Sequence, residues 1–186
     1  MKQNILPAIR LTAVCLLFFS GFYTLIILGI AQLAPNNGKG EIISSNQKKY
    51  YANIGQNFKA DNYFWSRPSA VDYNAAGAGG SNKGPSDPDY LKTVQDRIDN
   101  FIKHNPGIAK SEIPSDLVTA SGSGLDPNIS VEAAEVQVKR IAKIRNYDEQ
   151  QIRKLITEYT EKPLLDLFGT EKINVLKLNI ALSNLK

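Results

Sequence analysis

One cysteine, Cys15, and one histidine, His104, are all that the 186 residues contain of those two types. Cys15 lies inside a long apolar run, so the chain after residue 34 has no thiol. Disulfides are excluded there, and stability must come from an ordinary core. A zinc site would have to combine one nitrogen ligand with carboxylates, a poor donor set, so no metal site is expected. Neither a G-x-S-x-G elbow nor a GxxxxGK[ST] phosphate loop is present. Ser121-Gly122-Ser123-Gly124 follows Ala120 and does not supply the elbow. A hydrolase built from Ser121 or Ser123 with His104 and a carboxylate is therefore disfavoured, and no catalytic residue is expected. His104 closes a helical pattern, where a capping or exposed role suits it. Excess charge is missing as well. Without Lys2 and Arg10 the chain keeps 20 basic and 18 acidic residues, a net of +2, which gives nucleic-acid binding little support.

What is present begins with residues 11–34, LTAVCLLFFSGFYTLIILGIAQLA, a run without charge. As a helix these 24 residues extend roughly 36 Å, enough for a hydrocarbon core of about 30 Å with some tilt. A cleavable signal needs a shorter apolar core and a small-x-small site, which Gln32-Leu33-Ala34 does not provide. A lipid-bearing role for Cys15 is opposed by the bulk of Val14 before it and by the apolar sequence after it. The run is read as a retained transmembrane helix. Lys2, Arg10 and the α-amino group precede it, whereas Lys39 and Glu41 cancel behind it. That asymmetry predicts a cytoplasmic leader (1–10) and an exported C-terminal domain, periplasmic or extracellular. Within the span, Ser20, Gly21 and Gly29 allow close helix approach, while Thr24 and Gln32 offer hydrogen bonds; an unspecific anchor is the alternative.

Residues 35–48 mix turn formers with few apolar residues and read as a linker, leaving 49–186 as one folded domain. Aromatic-rich 50–73 suits short strands or packed irregular chain, and glycine-rich 74–86 is a loop. Three amphipathic helices follow. Asp87 caps the first, with Pro88 at its first position, before Leu91, Val94, Ile98 and Phe101. Ser130 caps the second, through Val131, Ala134, Val138 and Ile141, with Lys139, Arg140, Lys143 and Arg145 towards its C-terminal end, as the helix dipole favours. Asp148 opens the third, with Gln151 set for a capping box. In 173–182, INVLKLNIAL, Leu176, Leu178 and Ile180 alternate with Lys177 and Asn179 and predict a strand. The fold class is α+β: one N-terminal transmembrane helix, then about three amphipathic helices on a small sheet.

Two glycine-rich segments run into helix starts, where backbone N–H groups hold anions or a partner's carboxylate. Their candidate contacts are Ser81, Asn82 and Gly84 in the first and Ser121, Gly122, Ser123, Gly124 and Asp126 in the second. The competing reading is tight turns with capping side chains.

The wording of these segments carries more. DLVTASGSGLDPNIS (116–130), continuing into AAEVQVKRIAKIR, resembles the C subunit of the Kdp potassium-transporting ATPase, as do YFWSRPSAVDY (63–73), GGSNKGPSDP (79–88) and NVLKLNIAL (174–182). The order of these blocks behind one N-terminal span is similar to that family over nearly the whole chain. Departures are Asn128 for histidine, Val131 for proline, Lys83 for an apolar residue and Asp87 for asparagine. The resemblance implies a noncatalytic accessory subunit of a complex in which ATP and K⁺ are used by others. The phosphorylated aspartate belongs to a catalytic P-type ATPase subunit and the selectivity filter to a channel-like subunit. It also implies a catalytic chaperone that raises ATP affinity, with Ser121 to Asp126 as the nucleotide contact. The predicted topology puts this loop across the bilayer from cytosolic ATP, so an indirect effect through partner subunits is expected. The alternative function is a membrane-anchored exported ligand-binding or sensor module.

Overall fold

The computed structural model describes residues 4–45 and 47–185; Lys2 and the start of the leader lie outside them. Contacts divide the chain into two units, Met1–Ile42 and Ile43–Lys186.

The first unit is helix α1, Ile5–Ala31. It begins before the uncharged run, taking Pro7 into its first turns and Arg10 into its body, and it stops before Gln32. Its 27 residues rise roughly 40 Å, sufficient to cross a bilayer. None of its window is buried, and its large apolar side chains are 43% (Ile26) to 72% (Leu17) exposed. In water such a surface is untenable. Leu17–Tyr23 widens to a π-helix, and the Thr24 hydroxyl donates to the Phe19 carbonyl at 3.0 Å, five residues back. Pro35–Gly38 then turns tightly.

Strand β1 (Ile42–Ser45) pairs with β2 (Lys48–Tyr51). The end of the segment read as linker is thus strand, as the β-branched pair Ile42-Ile43 favours. Residues 52–86 contain neither helix nor strand. Helix α2 spans Pro88–His104, with the Asp87 carboxylate accepting from the Tyr90 N–H at 2.9 Å. The capping backbone N–H and then Lys83 hold the Asp87 carboxyl below its ordinary pKa.

After β3 (Asn128–Ile129) come α3 (Val131–Glu135), α4 (Val138–Arg145) and α5 (Glu149–Tyr159). The second helix read from the sequence is therefore two. Gln137 sits at the break, where its side-chain amide donates to the Ala133 carbonyl at 2.8 Å and its backbone N–H reaches only to Ala134. A side chain competing for ladder carbonyls interrupts the α-helical register. Asp148 and Gln151 form the expected capping box on α5.

Strands β4 (Thr160–Glu161) and β5 (Lys172–Asn174) complete an antiparallel sheet of order β3-β5-β4, with Asn128 opposite Asn174 and Thr160 opposite Ile173. Helix α6, Val175–Asn184, follows directly. This corrects the strand expected over 173–182, which holds for Ile173 and Asn174 alone. Val175, Leu178, Asn179 and Leu182 are buried at helical spacing, and the Asn174 side chain caps the helix by accepting from the Lys177 N–H at 3.1 Å. The alternating letters fit both periods over so short a stretch. Phe64, Phe101, Ile141, Ile152, Ile156 and Leu178 form the centre of the core.

Candidate functional site

The two glycine-rich loops meet backbone to backbone. Gly79 N–H donates to the Ser123 carbonyl at 2.8 Å, and the Ser69 hydroxyl donates to the Gly124 carbonyl at 2.6 Å. Gly124 has φ +66°, and a β-carbon there would stand 2.7 Å from the Gly79 carbonyl oxygen. This glycine is required by close packing and by its left-handed backbone. Gly122, by contrast, has open space where a β-carbon would go. Ser121 Oγ accepts from Gly124 N–H at 3.0 Å, Ser123 Oγ accepts from Leu125 N–H at 3.1 Å, and the two hydroxyls are 3.3 Å apart. Both serines are spent in part on their own turn. Asp126 pairs with Arg67 at 3.0 Å and accepts from Asn128 N–H at 3.0 Å.

Of the first loop's candidates, Ser81, Asn82 and Gly84 are all exposed; it is Gly79 and Gly80 that touch the second loop. The helix starts beyond the loops carry the protein's own anions. Asp87 caps α2, and Asp116 accepts from Ser130 N–H at 2.7 Å while Ser130 caps α3. A carboxylate at such a position occupies the place an external anion would take.

A second polar centre was not visible in the sequence as such. Arg140, placed by the sequence towards the C-terminal end of the second helix, is 6% exposed. Its Nε donates to Asn105 Oδ1 at 2.9 Å, one terminal nitrogen to Gln137 Oε1 at 2.7 Å, and the other to the backbone carbonyls of Asp61 and Tyr63. Its guanidinium lies 4.9 Å over the Trp65 ring. Burial pushes its pKa down to about 10, opposed by the Asp61 charge, so it stays cationic at neutral pH. Gln137 accepts from Trp65 N–H at 2.8 Å, and Asn179 clasps Phe64 through N–H and carbonyl, both at 2.9 Å. These side chains supply to irregular residues 61–65 the partners that a neighbouring strand would have supplied. A signal existed: Gln137 and Asn179 are polar residues on otherwise apolar helix faces.

His104 closes α2 with Nδ1 2.9 Å from both oxygens of Asp61. It is thus bonded to Asp61, its partner distinct from those of Ser121 and Ser123, and no triad forms among them. Among the described residues no three His, Cys, Asp or Glu side chains gather as a metal site would require. Beside His104 a cavity of about 340 Å³ is walled by Phe58, Trp65, Tyr73 and Phe101 and edged by Lys59 and Arg97. Burial raises the Tyr73 phenol to about 12, and its hydroxyl donates to the Arg67 carbonyl at 2.7 Å.

In α1, Thr24 spends its hydroxyl inside its own helix, whereas Gly21 and Gly29 present open surface and Ser20 lies in the π-helical segment. Gln32 is the C-cap residue.

The family model described as "KdpC: K+-transporting ATPase, c chain" matches residues 5–184. The chain belongs to this family. Among its relatives, the potassium-transporting ATPase KdpC subunit of Flavobacterium psychrophilum is 55% identical over 185 residues, covering 99% of this chain and all of the relative. That of Bacteroides fragilis is 48% identical, covering 99% and 98%. That of Bacillus cereus is 45% identical, covering 99% and 97%. The match includes both α1 and the folded unit, so the glycine loops and the Arg140 centre both lie within the KdpC-type region.

Proposed function

We propose that the chain is a noncatalytic accessory subunit of an ATP-driven, high-affinity potassium-uptake complex of the Kdp type. It stabilises the assembly of a catalytic P-type ATPase subunit with a channel-like subunit and promotes ATP binding by the catalytic one. The observation that carries this reading is the full-length relationship to subunits named for a potassium-transporting ATPase. Residues 1–10 are the cytoplasmic leader, 11–34 the span, 35–48 the linker and 49–186 the exported domain, in a bacterial inner membrane. Ser20, Gly21, Thr24, Gly29 and Gln32 form the face on which the span meets lipid or a partner helix.

The promotion of ATP binding is indirect. The Ser121 and Ser123 hydroxyls accept from their own loop's amides, and Asp87 and Asp116 occupy the nearby helix starts. This favours a partner contact over a nucleotide contact for Ser121, Gly122, Ser123, Gly124 and Asp126, with exposed Ser81, Asn82 and Gly84 beside them. An effect on ATP is then a coupling free energy between two sites, carried by a partner with two states. ATP and K⁺ belong to the complex, and nucleic acid is not a partner.

The test is labelling of a Ser123→Cys chain in a Cys15→Ser background with an impermeant thiol reagent in intact cells. Modification from outside is expected. Protection in intact cells with labelling after lysis places the loop in the cytoplasm and overturns this reading. The second reading, an exported sensor module, is favoured by the aromatic-walled cavity near His104. It requires a domain that binds a ligand with no larger subunit present.

A further inference from the structure

Between β4 and β5 the chain leaves the sheet for residues 162–171, KPLLDLFGTE. Leu164 and Phe168 close the excursion as an antiparallel bridge, with N–H to carbonyl distances of 3.2 and 3.0 Å. Inside it Leu165 and Asp166 hold φ of +57° and +55°, a region that side chains with a β-carbon enter at a cost. The turn so formed sends Leu164, Leu165, Leu167 and Phe168 outward, 71%, 74%, 78% and 65% exposed. Elsewhere in the unit Ile43–Lys186 the exposed large apolar residues among those described, Tyr51, Leu91 and Ile144, are far apart in sequence. Nothing in the bridge demands apolar side chains at its tip. Polar residues would close it equally well, and an apolar cluster held in water marks a docking surface.

The kind of partner follows from the charge at the apex. Asp166 is exposed between Leu165 and Leu167, so whatever receives the leucines receives a carboxylate too. At the base of the excursion Lys162 and Glu171 flank the tip and Lys172 and Lys177 both face Glu161, at 3.9 and 3.7 Å; within 163–168 Asp166 is the one charged residue, so it is the charge the tip carries forward. Hydrocarbon accepts neither a carboxylate nor the unpaired carbonyls of a turn. A protein groove with apolar walls and an Arg or Lys at its floor accepts both. We propose that the 163–168 tip is a plug that seats in such a groove on one of the larger subunits of the complex. The proposal rests on the subunit reading above and adds the surface, its chemistry and that of its receptor.

The test uses the full chain with its partners. Photoreactive benzoylphenylalanine replaces Leu167, or exposed Lys154 as a control, and irradiated membranes are analysed by peptide mass spectrometry. Adducts at 167 to a larger subunit, in a segment bearing apolar residues and an Arg or Lys, are expected. Adducts to lipid alone, adducts to a second copy of this chain, or yields no higher than at 154 overturn the proposal. In parallel, Leu165→Ser/Leu167→Ser and Asp166→Lys chains are expected to lower recovery of the complex in mild detergent at least tenfold while leaving Trp65 fluorescence unchanged. Undiminished recovery overturns the plug alone. Failure of the wild-type chain to copurify with any larger subunit overturns the subunit reading instead.

Discussion

Replacing Arg140 by alanine removes the residue on which the irregular segment 61–65 depends. The change strands Asn105 Oδ1 and the carbonyls of Asp61 and Tyr63, frees Gln137 Oε1 from one of its two donors, and uncovers the face of Trp65. An orphaned buried polar group costs about 1–3 kcal/mol, and the groups share one network, so their penalties do not add. Breaking a buried charged network typically costs about 3–5 kcal/mol, and with a side chain 3% exposed the upper half of that range is expected. Against a total stability of about 5–15 kcal/mol, this is a large fraction. Trp65 is the chain's one tryptophan and lies under the guanidinium, so its fluorescence reads the site directly. Urea unfolding of the full chain in detergent should show a lower midpoint and a red-shifted native emission. Arg140→Lys, which keeps the charge and loses the fork, should recover less than half of the loss. An alanine variant within about 0.5 kcal/mol of wild type, the usual scale of surface changes, means that Arg140 does not hold segment 61–65.

Three further outcomes follow from the same contacts. Gly124→Ala meets the Gly79 carbonyl at 2.7 Å in a left-handed backbone and should cost about 2–4 kcal/mol, whereas Gly122→Ala should fall within about 0.5 kcal/mol, both by denaturant midpoint. Ser130→Ala removes the acceptor for Ala133 N–H at 3.1 Å and should cost about 1 kcal/mol in thermal unfolding. Tyr73 ionises at about 12 when folded and near its ordinary value of 10 when unfolded. The native state therefore binds more protons between those values, and stability present below pH 10 declines as pH rises through 12. Tyr73→Phe should flatten that alkaline decline, measured by urea midpoints at stepped pH; an unchanged slope contradicts the assignment.

The parts of this fold that are local were legible in the sequence. Asp87-Pro88, Ser130 and Asp148 announce three helix starts by capping chemistry that acts over three or four residues, and all three appear. The apolar run likewise declares a long helix, although the helix takes in Arg10 because helix formation does not stop at one charge. What failed were features set by distant partners. Gln137 breaks a helix while its side chain holds Trp65, 72 residues away, and Asn179 sits inward to bind Phe64, 115 residues away. No window of ten residues contains either pairing. The candidate site divides the same way. Glycine-rich turns were visible at once, but that Gly79 and Gly124 are needed for each other, and that Arg140 is buried, depends on the meeting of segments far apart in the chain.

On the proposed function, this subunit acts on ATP through its neighbours. Equilibrium titration with ATP of the purified full chain, alongside the ATP KM of the complex prepared with and without it, tests this most directly. No saturable binding to the isolated chain is expected at millimolar ATP, together with a KM that rises at least severalfold when the chain is omitted. Saturable binding by the chain alone at the affinity of the complex, abolished by Ser121→Ala/Ser123→Ala, contradicts it.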